Sequence, residues 1–398
     1  MKRYLIMTSD LRTWKPNQPM LFLGEWCRRY DLKRIWEVLD VVVADPFGVE
    51  TTERNINANY VEAVADQLLN ELVLTLNSYH ETDHDLRYWQ ILLGHWIQRY
   101  VEIIFNRYST LEKVFKNYEI MGVVAFDTFE FCFTSNDTSG ILRDCREDIW
   151  NHSLYSEILN FLEIDNIELE KIKIEVDQTS KEKPKNKIVN KKLFILNLFG
   201  SFLSFFSRAS DAVIVNSYLS KIEEVKLNIA LGQVPQFWKK YEISEFSFSL
   251  NSRESLKLDD GKYSGFEKFV RLSLKKFIPK CYVEGYRELL EQANSTLFPK
   301  NPRFIFTSNN FDTDEIFKIW TANKIKLGTK YFVGQHGNNY GTLINYNNRP
   351  ELKTSDIFLT WGWFDNNKKN IPGFLFKTIG QPKRRYQEKG GLLLIELL

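Results

Sequence analysis

The sequence predicts an α/β protein with a Rossmann-like, mostly parallel sheet and a large helical insertion. Short apolar runs of the buried-strand type recur along the chain, and helical segments separate them. One strand–helix–strand unit, formed by residues 303–308, 314–326 and 331–334, has about the length that a right-handed parallel crossover needs. These two observations together favour a parallel sheet over an antiparallel one.

The individual elements follow from local apolar spacing. The predicted strands cover residues 4–8, 39–44, 123–126, 212–216, 303–308, 331–334 and 356–360. Residues 60–118 are predicted to be helical because apolar side chains repeat at helical spacing, as at Val61, Val64 and Leu68. Residues 139–163 and 264–297 show the same periodicity, and residues 60–118 and 139–163 form the insertion.

Composition limits the class of function. The chain has 398 residues and a net charge of +2, so no overall field favours nucleic acid. Its four cysteines lack the spacing of a zinc site, which fits a reduced, cytoplasmic compartment. No apolar run reaches the length of a signal peptide or a membrane span.

A lysine-rich segment interrupts the chain. Residues 164–192 are charged and weakly periodic, which predicts an exposed, mobile excursion. The apolar, aromatic stretch 193–206 follows it directly. Residues 181–206 therefore suit either a peripheral contact with the inner face of a membrane or a lysine-rich loop before a buried helix, and both interpretations stay open.

The loop that follows residues 331–334 is the main candidate for a site. Gly334, Gln335, Gly337, Asn338 and Asn339 surround the single histidine His336. In open α/β sheets ligands bind beyond the carboxyl ends of strands, and glycine lets backbone amides approach a ligand closely. His336 can exchange protons near neutral pH, although a histidine in such a loop is often only a turn residue.

A second candidate is Gly24–Glu25, which follows the first strand and its loop. A carboxylate at the mouth of the sheet can accept a proton from an attacking hydroxyl if burial raises its pKa. The alternative is a glutamate in the first turn of a helix, where it stabilises the helix dipole.

Two D-x-D patterns, Asp83–Asp85 and Asp312–Asp314, are interpreted as helix N-caps, with Asp314 also a weak candidate for the site. The chain has no phosphate-binding P-loop, dinucleotide fingerprint, zinc-protease or hydrolase motif. No metal site is predicted.

Four blocks of sequence carry a family resemblance: 5–8 with 21–27, 87–96, 334–341 and 360–363. Together they resemble a transferase family associated with O-antigen and other surface-polysaccharide gene clusters, first named from spirochaetes. The Gln335–Gly337 turn also resembles capsule-type Kdo transferases, which have the two-domain GT-B architecture. The resemblance implies a glycosyltransferase that uses a nucleotide sugar and a glycan acceptor, without a bound cofactor and without metal dependence.

Within that resemblance Glu25 is the preferred base and His336 the second choice. Gly24 and the 334–339 residues named above would contact substrate, and Trp361 would stack on a sugar unless it is a core residue. GT-B proteins continue well beyond residue 398, and 390–398 looks like a linker and first strand. The expected domains are therefore 1–380, an acceptor-type N-terminal half, and 381–398, the start of a missing donor domain. The isolated chain is then expected to be inactive unless a separate C-terminal half joins it, and a non-catalytic, membrane-associated assembly protein is the alternative.

Overall fold

The computed structural model describes residues 1–129, 132–174, 207–236, 238, 241–256, 258, 261–343, 349–381 and 391. These residues contain two five-stranded sheets in which every strand pairing is parallel. The α/β class with parallel strands is thereby confirmed. The strands are β1 Arg3–Ile6, β2 Met20–Phe22, β3 Val41–Val43, β4 Ile120–Asp127, β5 Glu168–Lys173, β6 Val213–Val215, β7 Phe304–Thr307, β8 Lys330–Gly334, β9 Ile357–Thr360 and β10 Asn370–Pro372.

The first sheet, sheet A, has the strand order β3-β2-β1-β4-β5. The order reverses direction between β1 and β4, as in Rossmann folds, and such a reversal opens a crevice beyond the strand ends. The second sheet, sheet B, has the order β10-β9-β8-β7-β6, which follows the chain without reversal. The polar loops that leave neighbouring strands of each sheet therefore gather at one edge of that sheet.

The helices lie where the apolar periodicity predicts them, but the structure divides a predicted segment into separate helices. The predicted helical segment 60–118 consists of two long helices, and Asp85 caps the second by accepting from the Tyr88 amide. The α-helices are α1 Lys33–Trp36, α2 Thr51–His80, α3 Leu86–Asn117, α4 Thr138–Asp144, α5 Asp148–Leu162, α6 Lys221–Ala230, α7 Leu250–Glu254, α8 Gly265–Phe277, α9 Tyr286–Asn294, α10 Glu315–Lys326 and α11 Pro350–Thr354.

Helix α3 joins the two sheets into one structure. It packs on α5, which lies against β4 of sheet A, and on α10, which lies against β8 of sheet B. One continuous core therefore contains Leu5 and Val123 from sheet A together with Ile305 and Val333 from sheet B. Burial of this apolar surface is the main favourable term that holds the two halves together.

The number of sheets corrects one expectation. The sequence predicted one mostly parallel sheet before residue 380, but the two candidate loops, after β2 and after β8, belong to different sheets. Strands of three residues, such as β2 and β6, carry too little periodicity to reveal which sheet they join. The expected division at residue 380 remains a prediction, because nearly all of 381–398 lies outside the described residues.

The lysine-rich segment also differs in part from expectation. Residues 168–173 form the edge strand β5, which pairs with β4 along its length, instead of a mobile excursion. The charged side chains of this segment suit an edge strand that faces water. Backbone pairing with β4 holds the segment in the strand conformation. Residues 175–206, with the predicted membrane contact, lie outside the described residues. Within the described ranges, no helix has the length and apolar character that crossing a membrane requires.

Candidate functional site

The carboxyl edge of sheet B gathers polar and aromatic side chains from four loops. Tyr218 follows β6, Phe311 and Asp312 follow β7, His336 follows β8, and Trp361 follows β9. Because these strands are parallel neighbours, the loops meet at the place where α/β proteins bind ligands. The candidate site is described from this edge.

His336 lies at the centre of this edge. Its half-buried ring contacts three aromatic rings, with centroid distances of 6.5 Å to Tyr218, 5.6 Å to Phe311 and 5.4 Å to Tyr340. Burial lowers the pKa of His336 below its usual value, so the imidazole is neutral at pH 7. A neutral imidazole carries one nitrogen that can accept a proton.

Tyr340 and Glu351 determine which imidazole nitrogen of His336 can accept a proton. The Tyr340 hydroxyl donates to the Glu351 carboxylate, and its oxygen lies 3.1 Å from Nδ1 of His336. Since the hydroxyl hydrogen is used by Glu351, the tyrosine oxygen accepts from Nδ1–H of His336. This assignment leaves the lone pair on Nε2, which has no hydrogen-bond partner among the described residues.

Helix α3 closes the back of the site with His95 and Arg99. Nε2 of His95 lies 3.3 Å from Glu351, and its ring stacks on Phe311 at 5.1 Å. Burial lowers the pKa of His95 to about 3 and raises the pKa of Glu351. Phe311 therefore touches both His95 and His336. Glu351 accepts from the Tyr340 hydroxyl with one oxygen, and its other oxygen faces the neutral His95 ring.

Asp312 adds a charged pair beside these histidines. Its carboxylate lies 2.6 Å from the Arg99 guanidinium. Burial opposes ionisation of Asp312, but the ion pair with Arg99 and the other positive charges nearby, such as Lys318, together outweigh it and lower the pKa of Asp312 to about 2. Asp312 is therefore an anion at neutral pH and favours positive charge nearby.

An open pocket of about 400 Å³ adjoins this cluster at the ends of β6 and β7. Its lining includes Asn216, Asn309, Asn310, Lys221 and Trp238, together with Asp314, the weak site candidate of the sequence. Asn216 and Tyr218, at the end of β6, have φ angles of 47° and 62°, a strained backbone region for residues with side chains. Such strain is often kept at binding sites, where it pre-organises a loop.

A model of the LIC12162 family transferases matches residues 3–397. The chain belongs to this family. The match spans nearly the whole sequence and supports a transferase in general terms, without naming a donor or an acceptor. No curated protein and no solved structure matches the chain.

In this LIC12162 family transferase, Gln335 and Trp361 brace the site loop. The Gln335 side-chain oxygen accepts from the Trp361 amide and from Nε1 of Trp363, both at 2.8 Å. Its nitrogen donates to the Gly337 carbonyl at 2.6 Å, and Nε1 of Trp361 donates to the Gln335 carbonyl at 2.9 Å. Gln335 and Trp361, both predicted to contact substrate, therefore use most of their hydrogen-bonding groups within the protein.

Replacing Gln335 with leucine should lower the free energy of unfolding by about 1–3 kcal/mol. The volume is nearly conserved, but the Trp361 amide and Trp363 Nε1 would lose their acceptor in a buried place. Chemical denaturation monitored by tryptophan fluorescence measures the change. An unaltered midpoint would mean that the loop does not depend on these bonds.

The other predicted loop residues differ in their surroundings. A β-carbon on Gly334 would lie 2.7 Å from the Phe376 ring and from Oγ of Ser308, so glycine is required there by packing. Gly337 has open space around it, Asn338 is exposed, and Asn339 is half-buried. Contacts of Gly337, Asn338 and Asn339 with substrate remain predictions.

Glu25 stands apart from this cluster, at the edge of sheet A. It begins the short 3₁₀ helix Glu25–Cys27, its side chain is 70% exposed, and it forms an ion pair with Arg28 at 2.6 Å. It therefore lacks the burial on which its role as a base depended. Gly24 packs under Trp26, whose ring would clash with a β-carbon there, and Trp26 lines a pocket of about 200 Å³.

Several residues of the candidate site are not predicted from the sequence. His95 stood inside one of the resemblance blocks, and its spacing of four from Arg99 places both on one face of α3. Asp314 is the N-cap of α10, as predicted, whereas Asp312 pairs with Arg99 instead of capping a helix. Tyr340 and Glu351 gave no local signal, since their importance depends on contacts across the fold.

Proposed function

We propose that this transferase moves a glycosyl group from a nucleotide sugar to a hydroxyl of a cell-surface polysaccharide of the O-antigen type. The observation that carries the proposal is His336, a neutral imidazole whose Nδ1 is held by Tyr340 and whose Nε2 is left as an acceptor. The family match supports the general class, transferase. The donor and acceptor classes rest on the resemblance and on the chemistry of the site.

The proposed reaction needs one proton acceptor. The acceptor oxygen forms a bond to the anomeric carbon while the bond from that carbon to the nucleotide phosphate breaks. Nε2 of His336 takes the hydroxyl proton as the new bond forms. The imidazolium that results is stabilised by the Asp312 carboxylate, which favours the protonated form of His336.

The pocket beside β6 and β7 suits the donor. Asn310 lines it while the adjacent Phe311 packs on His336, so the pocket and the base are neighbours. Asn216 and Asn309 offer carboxamides for sugar or ribose hydroxyls. Lys221, at the start of α6, and Lys377, whose ammonium lies 4.4 Å from the Tyr218 ring, supply positive charge for a diphosphate.

The chain itself should therefore bind a nucleotide sugar. The sequence predicted an inactive half without a donor domain, and we propose instead that the donor site lies within residues 3–372, which hold both sheets. Isothermal titration with UDP-, dTDP-, GDP- and CMP-sugars measures the affinity. We expect micromolar to low-millimolar binding of at least one of them.

Asn309→Asp tests where the donor binds. It places a negative charge in the pocket, and repulsion of the diphosphate should weaken binding at least about tenfold. Asn294→Asp, at an exposed position on α9, is the matched control and should leave the affinity unchanged. The donor site would be refuted by a chain that binds none of the nucleotide sugars, or by equal affinity in both variants.

A further inference from the structure

Helices α2 and α3 form a long groove that the proposed reaction does not use. Two adjoining hollows, of about 720 Å³ and 320 Å³, share Phe47, Asn57 and Phe105 in their walls. Along α3 the groove runs from Gln98 to Asn117, which at 1.5 Å per residue is roughly 28 Å. A single small molecule would fill only part of this length, so the shape suits an extended ligand.

The charges of the groove limit the kind of ligand. Carboxylates such as Glu53, Glu62 and Glu102 are mixed with cations such as Arg54, Lys113 and Lys116. Neither sign dominates, which disfavours a polyanion such as nucleic acid. The many polar groups also disfavour a long hydrocarbon chain, because each would need a hydrogen-bond partner.

The remaining surface combines aromatic rings with carboxamides. The half-buried rings of Phe47 and Phe105 meet edge to face at 5.8 Å where the two hollows join. Asn57 and Asn106 add carboxamides to the lining. Sugar rings have apolar C–H faces and hydroxyl groups around their edges. Aromatic rings suit the C–H faces, and carboxamides, which both donate and accept hydrogen bonds, suit the hydroxyls.

Gln98, at one end of the groove, carries a buried hydrogen-bond acceptor that the described protein does not satisfy. Its side chain is more than nine-tenths buried, and its oxygen is fully buried without a hydrogen-bond partner in the described parts of the chain. A buried carboxamide left unpaired costs stability, so such groups normally have a partner from the protein, from ordered water or from a ligand. Gln98 lines the same hollow as Glu102, which lies 4.0 Å from Arg349 in the segment leading to α11 and Glu351.

We infer that this groove binds an extended, largely neutral glycan chain and leads it towards the His336 cluster. The inference deepens the proposed function and rests on it for the direction of the chain. Binding in the groove does not itself require the donor pocket, so each can be tested separately.

The test uses the full chain on an array of bacterial oligosaccharides. Calorimetry then compares the best hexasaccharide with its constituent monosaccharides. We expect affinity to rise at least tenfold from monosaccharide to hexasaccharide, because successive rings occupy the groove. Phe47→Ala should weaken hexasaccharide binding severalfold, whereas Phe364→Ala, at an 81% exposed ring, should not.

Gln98→Leu separates a ligand contact from a structural one. Its carboxamide oxygen has no partner in the described protein, so the substitution should leave the melting temperature unchanged or raise it, while glycan affinity falls about fivefold. The inference that the groove binds glycan would be overturned if no oligosaccharide bound. It would also be overturned if neither Gln98→Leu nor Phe47→Ala changed the affinity. Glycan binding without nucleotide-sugar binding would instead contradict the proposed transfer and leave the groove standing.

Discussion

Replacing His336 with asparagine should lower the rate of glycosyl transfer by roughly 10²–10⁴-fold, the usual loss when a general base is removed. Asparagine keeps a hydrogen-bonding side chain but cannot take up the proton. Binding of the nucleotide sugar should change little, since the proposed donor pocket is lined by other residues. The effect should therefore appear in kcat and not in the affinity for the donor.

The pH profile gives a second signature of His336. A base must be unprotonated, so activity should fall as pH decreases through the pKa of His336. Burial sets that pKa below 6.5, and the rate should accordingly be flat around neutrality and decline only in acid. The asparagine variant should lose the dependence that belongs to His336.

Two further variants decide whether His336 is the base. His84→Asn is a matched control, because His84 is also half-buried with a lowered pKa but lies in the α2–α3 connection. Glu25→Gln tests the base that the sequence favoured first. A loss of about 10² or more in Glu25→Gln, with near-normal turnover in His336→Asn, would move the proton transfer to sheet A and refute our assignment.

Tyr340→Phe should give an intermediate loss, because it frees Nδ1 and lets the His336 ring and tautomer vary. If Tyr340 positions His336, the variant should have a lower kcat, and the fall of its activity in acid should occur at a different pH. A purely structural role would instead lower stability and leave the profile of the folded enzyme unchanged.

The sequence predicted the elements of this fold better than their arrangement. Apolar runs and helical spacing located β1, β4, β7 and β8 together with the long helices, because those patterns are local. The three-residue strands β2 and β10 and the charged strand β5 depend on backbone pairing with a neighbour. Pairing is a tertiary property, so two sheets were mistaken for one.

The same limit applies to the site. The loop around His336 could be found because glycines after a strand mark a place where the backbone approaches a ligand. Its partners could not, since His95 and Glu351 reach it from α3 and α11 and only the packing of those helices brings them together. The sequence favours Glu25 because it too lies in a loop after a strand. In the structure, however, its side chain is exposed and does not belong to the buried cluster around His336.

Behind the site, α10 carries a buried ion pair whose loss should destabilise the protein far more than the loss of a surface pair. Lys318 is completely buried, and its ammonium lies 2.8 Å from Glu315 and 3.0 Å from the Thr138 hydroxyl. Glu315 also accepts from the Thr138 amide at 2.9 Å and from the Tyr282 hydroxyl. The network ties α10, which lies against sheet B, to the start of α4, the helix that follows β4 of sheet A.

Lys318→Met should therefore lower the free energy of unfolding by about 3–5 kcal/mol, because it leaves the Glu315 carboxylate buried without its cation. Guanidinium denaturation measures the change, and Lys326→Met is the matched control on the same helix. Lys326 pairs with Asp83 at 3.3 Å on the surface, where both side chains are more than half exposed, so its loss should cost under about 1 kcal/mol. The double variant Lys318→Met with Glu315→Gln should recover part of the stability, since no unpaired charge remains. If Lys318→Met costs no more than Lys326→Met, the pair does not hold the two halves together, and the shared apolar core around α3 must do so alone.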